Sequence, residues 1–251
     1  MAKAILKRQV ALSLTLGAQM LKNSALVTIL PSQLEAVVEF AENPEARCPC
    51  VLLLDTSGSM EGEPIAALMR GLQAFKEDIC RDSLASRRVE IAVVTFDSEV
   101  SVVQDFVTAD MFEAPALTAQ GSTLMGTAIQ KALDMIAARK AQYKAAGVLY
   151  YRPWVFMVTD GEPNGESEEM LQAVANRVRE EEERKRVAFF AVGVEQANME
   201  RLSRLAVRTP VKLLGLNFVE MFVWLSRSAQ AVSHSKMNDQ VALPPPGWGT
   251  V

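Results

Sequence analysis

Three short stretches of the chain offer oxygen ligands with no base beside them. Asp55-Thr56-Ser57-Gly58-Ser59 follows the apolar run CPCVLLL (48–54), Gly121-Ser122-Thr123 precedes a helical pattern, and Thr159-Asp160-Gly161 follows WVFMV (154–158). Between them they supply two carboxylates and several hydroxyls, while the one histidine, His234, lies far along the chain. Oxygen-only sets suit Mg2+ or Mn2+, hard ions that want near-octahedral surroundings and keep some of their water. The neutral hydroxyls matter as much as the acids. With only two carboxylates an ion stays electron-poor and can take an anionic ligand from outside the protein. The glycines let the backbone turn tightly and come close to an ion with no Cβ in the way. One such stretch alone reads equally well as a polar turn; three, in or beside strand ends, favour an ion. Ser122 has the same hydroxyl chemistry as its neighbour Thr123, so the second stretch leaves two candidates.

These stretches meet only if the elements around them bring them to one edge. Residues 51–54 form a short continuous apolar run, the pattern of a strand buried on both faces. Pro64 then opens a helix, with Ile65, Leu68, Met69, Leu72, Phe75 and Ile79 at helical spacing. Residues 89–96 and 100–107 read as two strands joined by a short turn. Ile129, Leu133 and Ile136 mark a helix, 154–158 a buried strand, and Leu171, Val174 and Val178 the next helix. A strand at 187–194, a short helix at 199–206, a strand at 211–214 and a helix set by Phe218, Met221, Phe222 and Leu225 complete the pattern. Alternation of this kind predicts an α/β, doubly wound (Rossmann-like) fold: a mainly parallel six-strand sheet, helices on both faces, and one antiparallel edge strand. In such sheets the ligand crevice lies at the carboxyl ends of the strands, where the oxygen-rich stretches fall. The chain divides into an N-terminal extension (1–38), a main domain (39–235) and a Pro-rich tail (236–251).

Composition excludes several classes. The 251 residues carry a formal charge of −4, which gives no electrostatic case for nucleic acid. Three cysteines, Cys48, Cys50 and Cys80, are too few and too odd in number for a disulfide framework. Cys48-Pro-Cys50 lacks CxxC spacing, and Cys80 with His234 completes no zinc pattern. GxSxG, Walker A and GxGxxG motifs are all absent. A Mg2+-dependent phosphohydrolase with Asp55 as nucleophile is the alternative reading. Such enzymes carry D-x-D-x-T, whose second aspartate moves the proton, and this chain has Ser57 there. Lys3, Lys7 and Arg8 ahead of 10–18 (VALSLTLGA) resemble the start of a signal peptide, but Leu16 sits where a small residue is wanted. A cytoplasmic location is expected, with export the alternative if residues 1–18 act as a signal. The run 180–186 (EEEERKR) reads as a solvated helix end, and Asp97 and Glu162 as acids near the mouth that either tune the site or decorate the surface.

DxSxS after a buried strand, a threonine in a later G-S-T loop and T-D-G after a third strand resemble the von Willebrand factor A domain, over roughly residues 39 to 249. The resemblance implies a metal-ion-dependent adhesion site made of Asp55, Ser57, Ser59, Thr123 and Asp160. It also implies a binding module in place of an enzyme, with a partner's Glu or Asp completing the ion's shell. The phrases DTSGSMEGEPI, VVTFDS and VFMVTDGEPNG further resemble the bacterial tellurium-resistance Y-type group. That likeness implies a stress-response or signalling assembly with kinase-like or phosphatase-like partners.

Overall fold

The computed structural model describes residues 39–237 and 239–250. The signal-like run and the rest of 1–38 lie outside the described residues. Residues 45–251 form one compact unit, which carries the sheet with its helices.

Strands β1 (Cys48–Asp55), β2 (Val89–Phe96), β3 (Val100–Thr108), β4 (Trp154–Thr159), β5 (Ala188–Gly193), β6 (Val211–Leu213) and β7 (Gly249–Thr250) form one sheet in the order β3-β2-β1-β4-β5-β6-β7. Pairs β1–β2, β1–β4, β4–β5 and β5–β6 are parallel. Helices α1 (Glu63–Ile79), α2 (Ala85–Arg88), α3 (Met125–Ala146), α4 (Glu168–Glu183), α5 (Met199–Leu205) and α6 (Phe218–His234) surround it. The alternation along β1 assigns its two faces. Cys48, Cys50, Leu52 and Leu54 join α1 and α6 in one core, whereas Val51 and Leu53 join α3, α4 and α5 in the other. Gly71 lets α1 and α6 meet closely, because a Cβ there would lie 2.6 Å from Phe222. Chain order runs outward from β1 to β2 on one side and returns to β4 on the other. The loops leaving β1 and β4 therefore diverge and open a crevice at their carboxyl ends.

Two expectations about the sheet need correction. Among the described residues it has seven strands where six were expected, and both edges are antiparallel, through β2–β3 and β6–β7. The seventh strand is two residues long, too short to leave a hydrophobic pattern, and its approach depends on Gly249, where a Cβ would lie 2.4 Å from Val211. The preceding tail packs on the domain: Trp248 is buried, stacks edge-on against Trp224 at 5.5 Å, and Trp224 Nε1 donates to the Pro244 carbonyl at 2.8 Å.

Two buried acids were not foreseen. Glu182, in the run read as a solvated helix end, is buried and accepts from Phe189 N (2.7 Å), Arg208 Nε (2.9 Å) and Arg152. Glu90, at the start of β2, is fully buried and accepts from Arg47 Nε (2.8 Å), Arg139 Nε (2.9 Å) and the Tyr143 hydroxyl. Both sites join elements far apart in sequence. The buried Cys50 thiol is pushed up to about 12 by burial, and that of Cys48 also rises, so these cysteines are inert packing groups. No described helix is long and apolar enough to cross a membrane.

Candidate metal centre

Parallel pairing of β1 with β4 places Leu54 beside Val158, so the two strands end together at Asp55 and Thr159. The Thr159 hydroxyl donates to Asp55 Oδ2 at 2.5 Å, and the Ser57 amide donates to Oδ1 at 2.8 Å. Both carboxylate oxygens are thus oriented from within the fold. Beyond them, Ser57 Oγ lies 3.1 Å from Ser59 Oγ, and the Ser59 hydroxyl donates to Asp160 Oδ1 at 2.8 Å. Thr123 reaches the same place from the loop before α3: a Cβ on Gly161 would sit 3.4 Å from Thr123 Oγ1 and 3.7 Å from Asp55 Oδ2. The absence of a side chain at 161 keeps that space open. Asp55, Ser57, Thr123 and Asp160 are buried, while Ser59 is exposed at the rim.

All five side chains expected from the sequence therefore converge at one sheet edge. The choice between Ser122 and Thr123 falls to Thr123, since Ser122 turns to Ser98, with their hydroxyl oxygens 3.2 Å apart and its amide donating to Ser98 Oγ at 3.0 Å. The turn that directs Thr123 inward needs glycine at 121, where φ is +73° and a Cβ would collide with Ser98 Oγ at 2.3 Å. Asp97 proves to be a tie between loops. Its Oδ2 accepts from Thr56 Oγ1 at 3.2 Å, its Oδ1 from Glu99 N at 2.9 Å, and its carbonyl from Leu124 N at 3.0 Å. Glu162 turns away to Arg201 and Asn198. Sequence reasoning missed the orienting role of Thr159, although it stands inside the quoted T-D-G. It also missed Glu166, which reaches the first turn of α3 from the loop after β4 and which no local motif marks.

The electrostatics fit a cation. Burial pushes the Asp55 carboxyl up to about 6, against the pull of hydrogen bonds from Ser57 and Thr159, and the nearby charge of Asp160 adds to the rise. Burial also raises Asp160, partly offset by the Ser59 hydroxyl. Buried acids held above their usual range lack positive charge around them, and a divalent ion supplies it. Among the described residues no group of three His, Cys, Asp or Glu side chains could hold a metal. The oxygens gathered here are instead two carboxylates and three hydroxyls, a set that suits a hard ion better than zinc or copper. Its oxygens are spaced at 2.8 and 3.1 Å. An octahedral ion with ligands at about 2.0–2.1 Å has neighbouring oxygens roughly 2.9 Å apart.

The von Willebrand factor type A domain profile matches residues 50–213. No curated protein matches the sequence. Among solved structures, a von Willebrand factor type A protein from Catenulispora acidiphila is similar at 18% identity and a TM-score of 0.57, covering 74% of this chain and 43% of that one. The pilus adhesin SpaC of Lactobacillus rhamnosus GG, in its open conformation, matches at 15% identity and 0.58, covering 76% and 31%. The vWF domain of the type V pili tip protein Mfa5 from Porphyromonas gingivalis matches at 11% identity and 0.55, covering 79% and 99%. The chain spans under half the length of the first two, and at these identities the likeness is one of fold.

Proposed function

Because the chain belongs to the von Willebrand factor type A domain family, we propose that it is a protein-binding module that captures an acidic residue of a partner through Mg2+ or Mn2+. The observation that carries this reading is the hydroxyl and carboxylate chain Ser57–Ser59–Asp160 beside the doubly oriented Asp55. Asp55, Ser57, Ser59, Thr123 and Asp160 would hold the ion. When bound, it supplies a Lewis-acidic position for a carboxylate from outside. The protein's own contribution is orientation: Thr159 and the Ser57 amide fix Asp55, Gly161 leaves room, and Ser59 at the rim faces the partner.

The enzyme alternative lacks a group to move its proton. Ser57 stands where a phosphohydrolase needs its acid and base. The wider setting rests on the phrases DTSGSMEGEPI, VVTFDS and VFMVTDGEPNG alone. On that basis the module is assigned to a bacterial stress-response or signalling assembly in the cytoplasm, beside kinase-like or phosphatase-like proteins.

The test is calorimetric titration with Mn2+, followed by partner capture from the native extract with and without EDTA. Asp160→Ala should weaken Mn2+ binding on the order of 10–100-fold, and more than Ser57→Ala, because it removes charge as well as a ligand. Asp134→Ala is the control, since its exposed carboxylate pairs with Arg177 on the surface. Capture by Asp160→Ala in excess chelator, equal to wild type, would refute the metal bridge.

A further inference from the structure

Helix α3 begins without a cap of its own. Its N-cap residue is Leu124, which has no side-chain oxygen to offer, yet the helix runs for 22 residues. The first amides of any helix need acceptors from outside it. Here they come from a loop some forty residues later. Glu166 accepts from Gly126 N through Oε2 at 2.6 Å, and from Thr127 N and Thr127 Oγ1 through Oε1 at 2.6 and 2.7 Å. Two residues before it, the Asn164 amide donates to the Thr123 carbonyl at 2.9 Å. Gly126 is cut to fit this arrangement, because a Cβ there would lie 3.1 Å from Leu171 and 3.2 Å from the Glu166 carboxylate.

The loop 161–167 thus straps the start of α3. The same loop begins next to Asp160, and the strapped segment begins at Thr123. We propose that Glu166 is a positioning residue of the metal centre: by capping α3 across the fold, it holds the Thr123 loop against the Asp160 loop, so that the two ligands are in register before an ion arrives. This rests on the metal-binding reading of the site. The hydrogen bonds of Glu166 go to Gly126 and Thr127, not to a ligand side chain. It acts through the first turn of α3, next to Thr123, while the Asn164 amide holds the Thr123 carbonyl. A negative carboxylate at a helix N-terminus also meets the positive end of the helix dipole, which makes the clasp stronger than a neutral cap.

A cap that only stabilises the helix would lower the melting temperature and leave metal affinity alone, so both must be read. Ser167→Ala is the matched comparison, since Ser167 caps α4 by accepting from Met170 N at 3.2 Å and has no tie to Thr123. Mn2+ affinity by calorimetry and metal-free melting temperature are measured for wild type, Glu166→Ala, Glu166→Gln, Ser167→Ala, Thr123→Ala and the double variant Glu166→Ala/Thr123→Ala. Glu166→Ala should weaken Mn2+ binding about tenfold, the lower end of what lost ligand support costs. Glu166→Gln keeps one acceptor oxygen and should fall between, and it carries the test if the alanine variant does not fold. Ser167→Ala should lower the melting temperature with Mn2+ affinity unchanged. The double variant should bind no more weakly than Thr123→Ala alone, because the two side chains act as one unit. Glu166 variants with Mn2+ affinity within about twofold of wild type, while Thr123→Ala loses it, overturn the positioning role and leave the metal reading standing. If wild type and Thr123→Ala both fail to bind Mn2+, the metal reading falls, and this inference with it.

Discussion

Replacing Asp55 by asparagine should stabilise the metal-free protein above pH 6 while removing its response to Mg2+. The carboxyl is buried and pushed from its usual 3.8 to about 6. Because the folded value is raised, its favourable contribution is complete below the unfolded value and is lost as pH rises through about 6. Roughly two units at about 1.4 kcal/mol each make the loss on the order of 3 kcal/mol. The nearby acid Asp160 is displaced in the same direction by its own burial, so it adds to the slope instead of cancelling it. Asparagine has the same shape and no charge. Its Oδ1 keeps the Ser57 amide, and the Thr159 hydroxyl can turn to accept from Nδ2.

The two proteins should therefore melt together near pH 4 in EDTA and separate above pH 6. At about 2–4 °C per kcal/mol for a domain of this size, Asp55→Asn should melt roughly 6–12 °C higher at pH 7.5. Excess Mg2+ should raise the wild-type melting temperature at pH 7.5, do progressively less as pH falls through about 6, and leave the variant unmoved. Thermal unfolding followed by circular dichroism across pH 4–8 reads all of this. A metal-free wild type as stable as the variant at pH 7.5, or an equal Mg2+ shift in both, would mean that Asp55 is not a buried anion waiting for a cation.

Glu90→Gln should cost about 3–5 kcal/mol in denaturant unfolding, because it strips the buried guanidinium groups of Arg47 and Arg139 of the carboxylate between them. Mn2+ affinity should not change, since the cluster lies at the opposite ends of the strands from Asp55; an unmoved midpoint would show that other groups carry the compensation. Trp248→Ala should cost about 3–5 kcal/mol and speed hydrogen exchange at the Leu214 amide, which donates to the Trp248 carbonyl at 3.0 Å. Slow exchange at Leu214 in that variant would show that β7 holds without its anchor.

The sheet interior was legible because strands buried on both faces write themselves as apolar runs, as 51–54 and WVFMV do. What escaped the pattern was contributed by short or polar pieces. β7 consists of Gly249 and Thr250, and no periodicity can be read from two residues. The run 180–186 looked solvated because its composition is charged, yet Glu182 lies within reach of Arg152, Arg208 and the start of β5. Charge composition describes a helix's average face, and one buried acid is decided by partners from three other segments.

The candidate site divides along the same physical line. Its five candidate ligand positions sit in contiguous motifs at or near strand ends, where local sequence alone fixes what the fold must bring together. The groups that hold those positions are not local. Thr159 acts on a strand that pairs with its own, Asp97 binds Thr56 from the loop after β2, and Glu166 reaches a helix that begins forty residues earlier. Each is an ordinary acid or hydroxyl in an ordinary turn until topology supplies its partner. A set of two carboxylates and three neutral hydroxyls has little charge to enforce its own geometry around an ion, so the precision of the proposed site must come from such supports. A support of this kind is what the exchange of Glu166 for alanine removes without touching a ligand. The difference between that variant and Thr123→Ala is therefore the direct measure of how far the fold, and not the ligand set, makes the site.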